Sequence, residues 1–251
     1  DSHGRTLWAL AECAATDTDP SRRGWAINLF KTALAPVENF SSPRAWAFTL
    51  LGLNAFCATF PDDLDADRLR GLLADRLLSL LSANTVGTWC WFENVLAYDN
   101  ARLAQALLET GLATKSHACI AAGLTSLRWL MAQQTGTSGC FRPIGSDSFG
   151  KIHQRPELFD QQPVDATAAI SACLAAARVD ASPEWPAGAM RAFAWFVGAN
   201  DLQVPLVDLT NGGCRDGLHS DRANQNMGAE SALSYLLALI EIRRFTHAGI
   251  A

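Results

Sequence analysis

Acidic side chains set among aromatic rings are the first residues of this chain that could carry out chemistry. The segment TWCWFENVLAYDNAR, residues 88–102, places Glu93 directly after two tryptophans and a phenylalanine. Apolar rings withdraw water from a neighbouring carboxyl group and raise its pKa, which is the property that a general acid needs. Glu93 is therefore the first candidate for a proton donor. Asp99 and Arg102 follow at the predicted start of a helix, where an N-cap with an ion pair explains them as well as ligand binding does.

A second cluster, FDQQPVDA, contains two carboxylates and two amides around a proline. The proline is expected in the first turn of a helix, so that Asp160, Gln161 and Gln162 lie in the entry loop. Such groups suit the hydroxyls of a sugar, and they also suit helix capping. Asp165 is flanked by alanine-rich helix, where an inward-facing charge is costly unless it meets a ligand or a partner. Asp160 or Asp165 is thus the expected partner of Glu93 in a catalytic carboxylate pair.

The third cluster, DLTNGGCRDGLHSDRANQNMGAES, combines a glycine-rich turn with acids, amides and a histidine. It does not match a phosphate-binding loop, because no GK[ST] follows its glycines, and its spacing does not match a calcium loop. Asp216, His219, Asn226 and Glu230 are predicted here to contact substrate. Together with His3, His219 could form a metal site or an acid–base pair, but a single histidine is more often simply hydrogen-bonded. We predict no metal and no cofactor.

The combined composition of these clusters indicates a carbohydrate ligand rather than a nucleotide or a lipid. Aromatic rings stack on the apolar faces of sugar rings, while carboxylates and amides bind the hydroxyls. The residues predicted to bind substrate are Trp89, Trp91, Tyr98, Asp99, Asn100, Arg102, Gln161, Gln162, Asp216, His219, Asn226, Glu230, His3 and Arg5. The predicted catalytic residues are Glu93, Asp160 and Asp165.

These residues must be positioned by helices, because the chain shows apolar residues at three- and four-residue spacing almost throughout. Helices are predicted over 2–14, 22–35, 43–59, 64–83, 99–112, 116–134, 163–178, 184–199 and 226–246. Helices rich in small residues alternate with charged amphipathic ones, which indicates an inner and an outer layer. The fold class is therefore predicted to be all-α, an α/α toroid of helical hairpins resembling an (α/α)6 barrel.

The long connections of this predicted toroid fall on one side, at 84–97, 135–162 and 200–225, which is where function is expected. A closed toroid of six hairpins needs twelve helices, and the chain begins inside a motif typical of an inner helix. We therefore expect a single domain that forms the C-terminal portion of a longer protein and is incomplete at its N-terminus.

Composition excludes several classes of function. The 251 residues carry a formal net charge of -5, whereas nucleic-acid binding and attachment to an anionic membrane need a basic face. No apolar run is long enough to span a membrane, and no signal peptide is visible. The seven cysteines are odd in number and evenly spread, so buried free thiols in the cytoplasm are expected rather than disulfides or a zinc site.

Four segments together resemble a known family: WCWFENVLAYDNARLAQALL, FDQQPVDA, NGGCRDGL and NQNMGAESALSYLLAL. They are similar to the α/α-toroid region of bacterial proteins that carry the name glycosyltransferase. The resemblance covers nearly the whole chain. It implies a sugar ligand and a fused or adjacent glycosyltransferase domain, and it supplies no catalytic residues. Kinship with six-hairpin glycosidases and sugar epimerases is an analogy of fold.

Three functions remain open from the sequence. The first is hydrolysis or other processing of a glycosidic bond by a carboxylate pair, whose separation would decide between inversion and retention. The second is a non-catalytic glycan-binding module attached to a glycosyltransferase. The third is a sugar epimerase or isomerase that transfers protons between His3 and His219.

Overall fold

Helices account for nearly all the regular structure of the protein. In the computed structural model, which describes residues 1–247 and 249, the chain forms nine α-helices and two short 3-10 helices. The α-helices are α1 (Ser2–Thr16), α2 (Pro20–Ala33), α3 (Pro43–Thr59), α4 (Leu64–Asn84), α5 (Ala101–Thr114), α6 (His117–Gln133), α7 (Pro163–Ala177), α8 (Glu184–Phe196) and α9 (Ala229–His247). The 3-10 helices are Val37–Asn39 and Ser146–Ser148. All nine predicted helices are confirmed, and their ends differ from prediction by at most three residues.

The helices begin where side chains can satisfy the exposed N–H groups of the first turn. The Asp19 carboxylate accepts hydrogen bonds from the backbone of Ser21 and Arg22 at the start of α2. Ser42 and Asp63 cap α3 and α4 in the same way. Proline occupies an early position of α2, α3 and α7, where its missing N–H costs nothing. These signals explain why the beginnings of the helices were readable from the sequence.

The chain divides into two compact units. The N-terminal unit comprises residues 1–92 and 102–124. Within it α1 packs against α2 and α3, and α3 packs against α4. The close approach of α1 and α3 depends on glycine, since a Cβ on Gly52 would lie 2.9 Å from the Cα of Trp8. Helix α3 buries 12 of its 17 residues, whereas the charged helix α4 buries 6 of 21.

The C-terminal unit comprises residues 93–101 and 125 onward. Helix α7 packs against α8 and α9 and buries 13 of its 15 residues. The predicted alternation of buried small-residue helices with amphipathic ones is therefore seen for α3 and α7. Helix α9 departs from it, because one of its faces is exposed. Extended segments contribute only isolated β-bridges in the described part of the chain, among them Gln161 with Leu218.

Two further features bear on the class of protein. Among residues 1–247 and 249, no helix combines the length and apolarity needed to cross a membrane. All seven cysteines are unpaired; four are buried and three half-buried. Burial raises the pKa of Cys173 and of Cys214 to about 12, so both remain thiols at neutral pH.

Candidate functional site

Asp160 lies at the end of a loop that the backbone closes on itself. The N–H of Gly145 donates to the carbonyl of Glu157 at 3.3 Å, and the N–H of Ser146 donates to the carbonyl of Asp160 at 2.9 Å. A Cβ on Gly145 would lie 2.2 Å from the carbonyl oxygen of Phe159, so only glycine permits this closure. The short 3-10 helix after Gly145 carries Asp147, so the closed loop contains a second carboxylate whose charge acts on Asp160.

A backbone bridge between Gln161 and Leu218 places His219 beside Asp160. Gln161 and Leu218 exchange backbone hydrogen bonds of 3.0 and 2.9 Å. As a result, Nδ1 of His219 lies 3.2 Å from Oδ1 of Asp160. Gly217 makes room for this pairing, since a Cβ there would lie 2.7 Å from the carbonyl oxygen of Gln161 and 3.1 Å from Oδ1 of Asp160.

The Asp160 carboxyl group is partly withdrawn from water. Its Oδ1 is buried, while the side chain as a whole is 34% exposed. Burial raises the pKa of Asp160, the negative charge of Asp147 raises it further, and His219 acts in the opposite direction. The net shift is upward. A carboxyl group that holds its proton more firmly than usual and still reaches solvent has the properties of a general acid.

Gln161, predicted to bind substrate, holds the loop in place through its side-chain amide, and its role in binding stays a prediction. Its side chain is buried, and its amide nitrogen donates to the carbonyl of Leu158 at 2.8 Å and to Asp201 at 2.7 Å. Its amide oxygen accepts a hydrogen bond of 2.7 Å from the indole of Trp195. Three protein partners thus occupy the amide, which makes its role in positioning Asp160 clearer than any role in binding sugar.

Asp201, which was not among the residues predicted from the sequence, anchors this network. The guanidinium of Arg142 donates to Asp201 at 2.9 Å. Burial raises the pKa of Asp201, but hydrogen bonds from Arg142 and Gln161 outweigh burial, and the net shift is downward. Asp201 is therefore a charged structural anchor. It lies in the same unit as Asp160, whose pKa is shifted in the opposite direction.

Asp216 caps helix α9 from outside the helix. Its Oδ1 accepts a 2.6 Å hydrogen bond from the N–H of Gly228, and Asn226 donates to its other oxygen. Burial raises the pKa of Asp216, but hydrogen bonds from Gly228, Ser231 and Asn226 prevail and lower it. Asp216 and Asn226 bind each other at a helix start, and Glu230 lies exposed in the first turn of α9. Their assignment to substrate remains a prediction.

Glu93 lies half-buried in an irregular segment that is tied to loop 145–160. The backbone carbonyl of Asn94 accepts a 2.8 Å hydrogen bond from the N–H of His153, and the Oδ1 of Asn94 lies 3.0 Å from the Nε2 of His153. The segment that carries Glu93 and the loop that carries Asp160 are therefore neighbours within the C-terminal unit. Tyr98, further along this segment, is half-buried.

The predicted position of Asp99 within a helix is wrong. Helix α5 begins at Ala101, and Asp99 precedes it with a φ of 52°, fully buried. Asn100 closes the turn, because its side chain accepts from the N–H of Ala97 and donates to the carbonyl of Ala97. The turn therefore ends the irregular segment before the helix starts, and burial gives Asp99 the surroundings of a structural residue.

Two predicted aromatic platforms differ in exposure. Trp91 is 0% exposed and packs edge-on against Phe92, so its ring offers no face to a ligand in this structure. Trp89 is half-buried at the end of a tight turn that pairs with Val86. Arg102, in the N-terminal unit, is buried and donates to Gln105 at 2.7 Å.

The remaining predicted residues lie among protein partners. His3 places Nε2 2.7 Å from the carbonyl oxygen of Ala33, and the guanidinium of Arg5 lies 4.2 Å from the ring centre of Phe48. Gln162 is half-buried before α7, and Asp165 is 1% exposed in the first turn of that helix. In the described part of the chain, no three His, Cys, Asp or Glu side chains are grouped so as to hold a metal ion.

The comparison with solved structures shows a similarity of fold and nothing beyond it. No family model matches the chain, and a search of curated proteins found no match either. Among solved structures, the protein resembles a selenomethionine derivative of the GH76 alpha-mannanase of Bacteroides thetaiotaomicron, with a TM-score of 0.61 and 15% sequence identity. The alignment covers 99% of this chain and 69% of the mannanase chain. The predicted fold class is thereby confirmed: the described part of the chain is all-helical, and its fold is similar to the α/α toroid of that structure.

Proposed function

We propose that the protein hydrolyses a glycosidic bond and that Asp160 protonates the leaving oxygen. The observation that carries this proposal is the state of the Asp160 carboxyl group, with a raised pKa, one oxygen buried beside His219 and part of the side chain reaching solvent. Protonation of a glycosidic oxygen requires such a group. Asp160 thus takes the role of acid that the sequence assigned first to Glu93.

The second carboxylate of the reaction is Asp147. It is exposed, it lies in the same closed loop, and its negative charge is one of the influences that raise the pKa of Asp160. An ionised carboxylate in that position would activate a water molecule or attack the sugar. Glu93 is the alternative, since its segment is hydrogen-bonded to the same loop through Asn94 and His153. Asp165 is a weaker choice because it is almost completely buried.

The similarity of fold to an alpha-mannanase supports a first choice of substrate. We expect purified protein to release reducing sugar from α-linked mannan or its oligosaccharides. Replacement of a general acid lowers turnover by about 100-fold or more, so the Asp160→Asn variant should be nearly inactive. The control is Asp221→Asn, which removes an exposed carboxylate that pairs with Arg222. Full turnover by Asp160→Asn on a substrate that the wild-type protein cleaves would refute the assignment.

Two further measurements on the purified protein distinguish the other functions. Binding of mannan oligosaccharides in a calorimeter without any release of sugar would favour a glycan-binding module. Uptake of deuterium from solvent into a free sugar would favour an epimerase. A fused or adjacent glycosyltransferase domain, implied by the sequence resemblance, stays a prediction.

A further inference from the structure

A small cavity lies between the end of helix α6 and the loop that carries Asp160. Its volume is about 190 Å³, and its polar lining consists of Gln133, Thr135, Arg142 and Arg155. All of its walls belong to the C-terminal unit. Most small-molecule sites have volumes of about 300–1,000 Å³, so this cavity suits a ligand of only a few atoms.

The charged side chains that line this cavity are both arginines. Arg142 is largely buried, and its guanidinium donates a 2.9 Å hydrogen bond to Asp201, which balances its charge. Arg155 is exposed and forms no ion pair within residues 1–247 and 249. The acid nearest to Arg155 in the sequence, Glu157, is paired with Lys151 at 2.8 Å. The cavity therefore carries a positive charge that no acid in the described part of the chain balances.

Two neutral side chains add further hydrogen-bonding groups to the lining. The hydroxyl of Thr135 donates to the backbone carbonyl of Met131 at 2.7 Å, so its oxygen is left to accept a hydrogen bond. The amide of Gln133 both donates and accepts. Guanidinium donors beside a hydroxyl acceptor suit an oxyanion that keeps one proton, because its charged oxygens accept from arginine and its O–H donates to threonine. Hydrogen phosphate is such an anion near neutral pH, whereas sulfate carries no proton.

We propose that this cavity binds inorganic phosphate, with Arg155 as its main cation and Thr135 as the acceptor for the phosphate hydroxyl. The bound anion holds residues 155–158 against the end of helix α6, because residues of both segments line the cavity. The carbonyl of Leu158 also accepts a 2.8 Å hydrogen bond from Gln161. Phosphate therefore stabilises the segment that leads to Asp160. Binding itself does not depend on the proposed hydrolysis.

A second cavity, in the N-terminal unit, shows why the balance of charge decides the ligand. It has a volume of about 300 Å³ and is also lined by two cations, Lys31 and Arg68. There Lys31 pairs with Asp63 at 2.8 Å, and Arg68 pairs with Glu38 at 2.6 Å. Both acids line the same cavity, so an anion would meet negative charges as closely as positive ones. We expect no phosphate to bind there.

The test is a titration of the nitrogen-15-labelled 251-residue chain with sodium phosphate at constant ionic strength, followed by the backbone N–H signals. The signals of Thr135 and Arg155 should shift with a Kd on the order of 1 mM, because a single exposed cation supplies most of the attraction. Arg155→Gln should weaken binding by about tenfold, and Arg155→Lys should recover part of that loss. The matched control is Arg68→Gln, which removes a cation from the other cavity and should leave the Kd unchanged.

Two comparisons test whether the ligand is phosphate with its proton. Thr135→Val removes the acceptor and should weaken phosphate binding by about fivefold, while the weaker binding of sulfate stays the same. Methyl phosphate has a similar charge but lacks the O–H, so it should bind more weakly than inorganic phosphate. A wild-type chain whose Thr135 and Arg155 signals do not shift, or an Arg155→Gln variant that binds as well as wild type, would overturn the site. Tighter binding of methyl phosphate or sulfate than of phosphate would overturn inorganic phosphate as the ligand.

Discussion

Two half-buried aspartates in the C-terminal unit, Asp160 and Asp216, show how the same side chain acquires opposite properties. Burial raises the pKa of both carboxyl groups. At Asp216, hydrogen bonds from Gly228, Ser231 and Asn226 outweigh burial, and the pKa falls. At Asp160, the negative charge of Asp147 adds to the effect of burial, and the pKa rises.

The difference teaches that donors, rather than depth, separate a structural acid from a reactive one. A carboxylate that accepts several N–H and O–H hydrogen bonds is stabilised in its charged form and gains nothing from a proton. A carboxyl group that lacks such donors and lies near a second negative charge binds its proton more tightly than usual. Asp216 therefore stabilises the start of α9, whereas Asp160 is suited to giving a proton away.

Gly217 lies close to Asp160, and Gly228 lies close to Asp216. Replacing these glycines should change the stability of the two sites more than any other variant considered below. In Gly217→Ala the new methyl group would meet the backbone oxygen of Gln161 at 2.7 Å, so the backbone must move, at a cost of about 1–3 kcal/mol. In Gly228→Ala the nearest obstacles are the carboxylate oxygens of Asp216 at 3.0 and 3.2 Å. Side chains yield more readily than backbone, so Gly228→Ala should cost less. Urea denaturation of both variants measures the two costs.

Turnover of the same two glycine variants tests whether Asp160 is catalytic and Asp216 is structural. Gly217→Ala should lower turnover as well, because the displaced backbone carries Asp160 with it. Gly228→Ala should leave turnover close to the wild-type value. Equal losses of stability and turnover in both variants would mean that the two aspartates are not held in the different ways described above.

Removing the carboxyl group of Asp216 or of Asp160 should change stability less than the glycine replacements do. The two variants should also depend on pH in opposite ways. Asp216→Ala removes a helix cap and should cost about 1–2 kcal/mol at neutral pH. Since the pKa of Asp216 is lowered by folding, its contribution is present above the unfolded pKa and is lost as pH falls through the folded pKa. The difference in stability between this variant and the wild-type protein should therefore shrink in acid.

Asp160→Ala should behave in the opposite sense. Because folding raises the pKa of Asp160, ionisation destabilises the folded protein as pH rises from the unfolded pKa through the folded one. The variant should therefore gain stability relative to the wild-type protein over that interval. Denaturation midpoints measured from acid to neutral pH would contradict this account if both variants changed in the same direction.

The sequence predicted the helices well because their signals are local. Proline in the first turn marks the starts of α2 and α3, and a capping Asp or Ser precedes each of α2, α3 and α4. Apolar spacing within each helix then determined which side is buried. The same local reasoning correctly placed Asp160 in the loop before α7, since Pro163 begins that helix.

The site was predicted less well because its geometry depends on contacts between distant residues. The charge of Asp147 acts on Asp160 because backbone hydrogen bonds close loop 145–160. No periodicity or capping pattern encodes that closure. The exchange between Gln161 and Leu218 spans more than fifty residues, which is why the pairing of His219 with Asp160 could not be foreseen.

Local reasoning also failed where burial depends on the whole fold. A tryptophan in a polar loop can lie on a surface or in the core, and Trp91 lies in the core. Asp99 has a positive φ, which a non-glycine residue adopts rarely and which helical periodicity does not reveal. On α9 the error runs the other way. The apolar residues on one face of this helix predicted burial, but that face is exposed.

The smallest expected effect is on the pKa of Asp160 when one of its two charged neighbours, Asp147 or His219, is replaced. Asp147→Asn removes a negative charge and should lower the pKa of Asp160, whereas His219→Gln removes the group that lowers this pKa and should raise it. The carbon-13 signal of the Asp160 carboxyl group, identified by its loss in Asp160→Asn, reports the pKa without any substrate. Asp221→Asn serves as the control, because it removes an exposed carboxylate that pairs with Arg222.

The two shifts must have opposite signs if the neighbours act as charges. Burial is the largest influence on Asp160, so its pKa should stay above the ordinary aspartate value even in Asp147→Asn. If the pKa of Asp160 fell to the ordinary aspartate value in Asp147→Asn, the charge of Asp147 would be the main cause of the raised pKa. Asp160 would then bind its proton tightly only in the presence of Asp147. An unchanged pKa in both variants would leave burial as the sole cause, and the contrast with Asp216 would rest on hydrogen-bond donors alone.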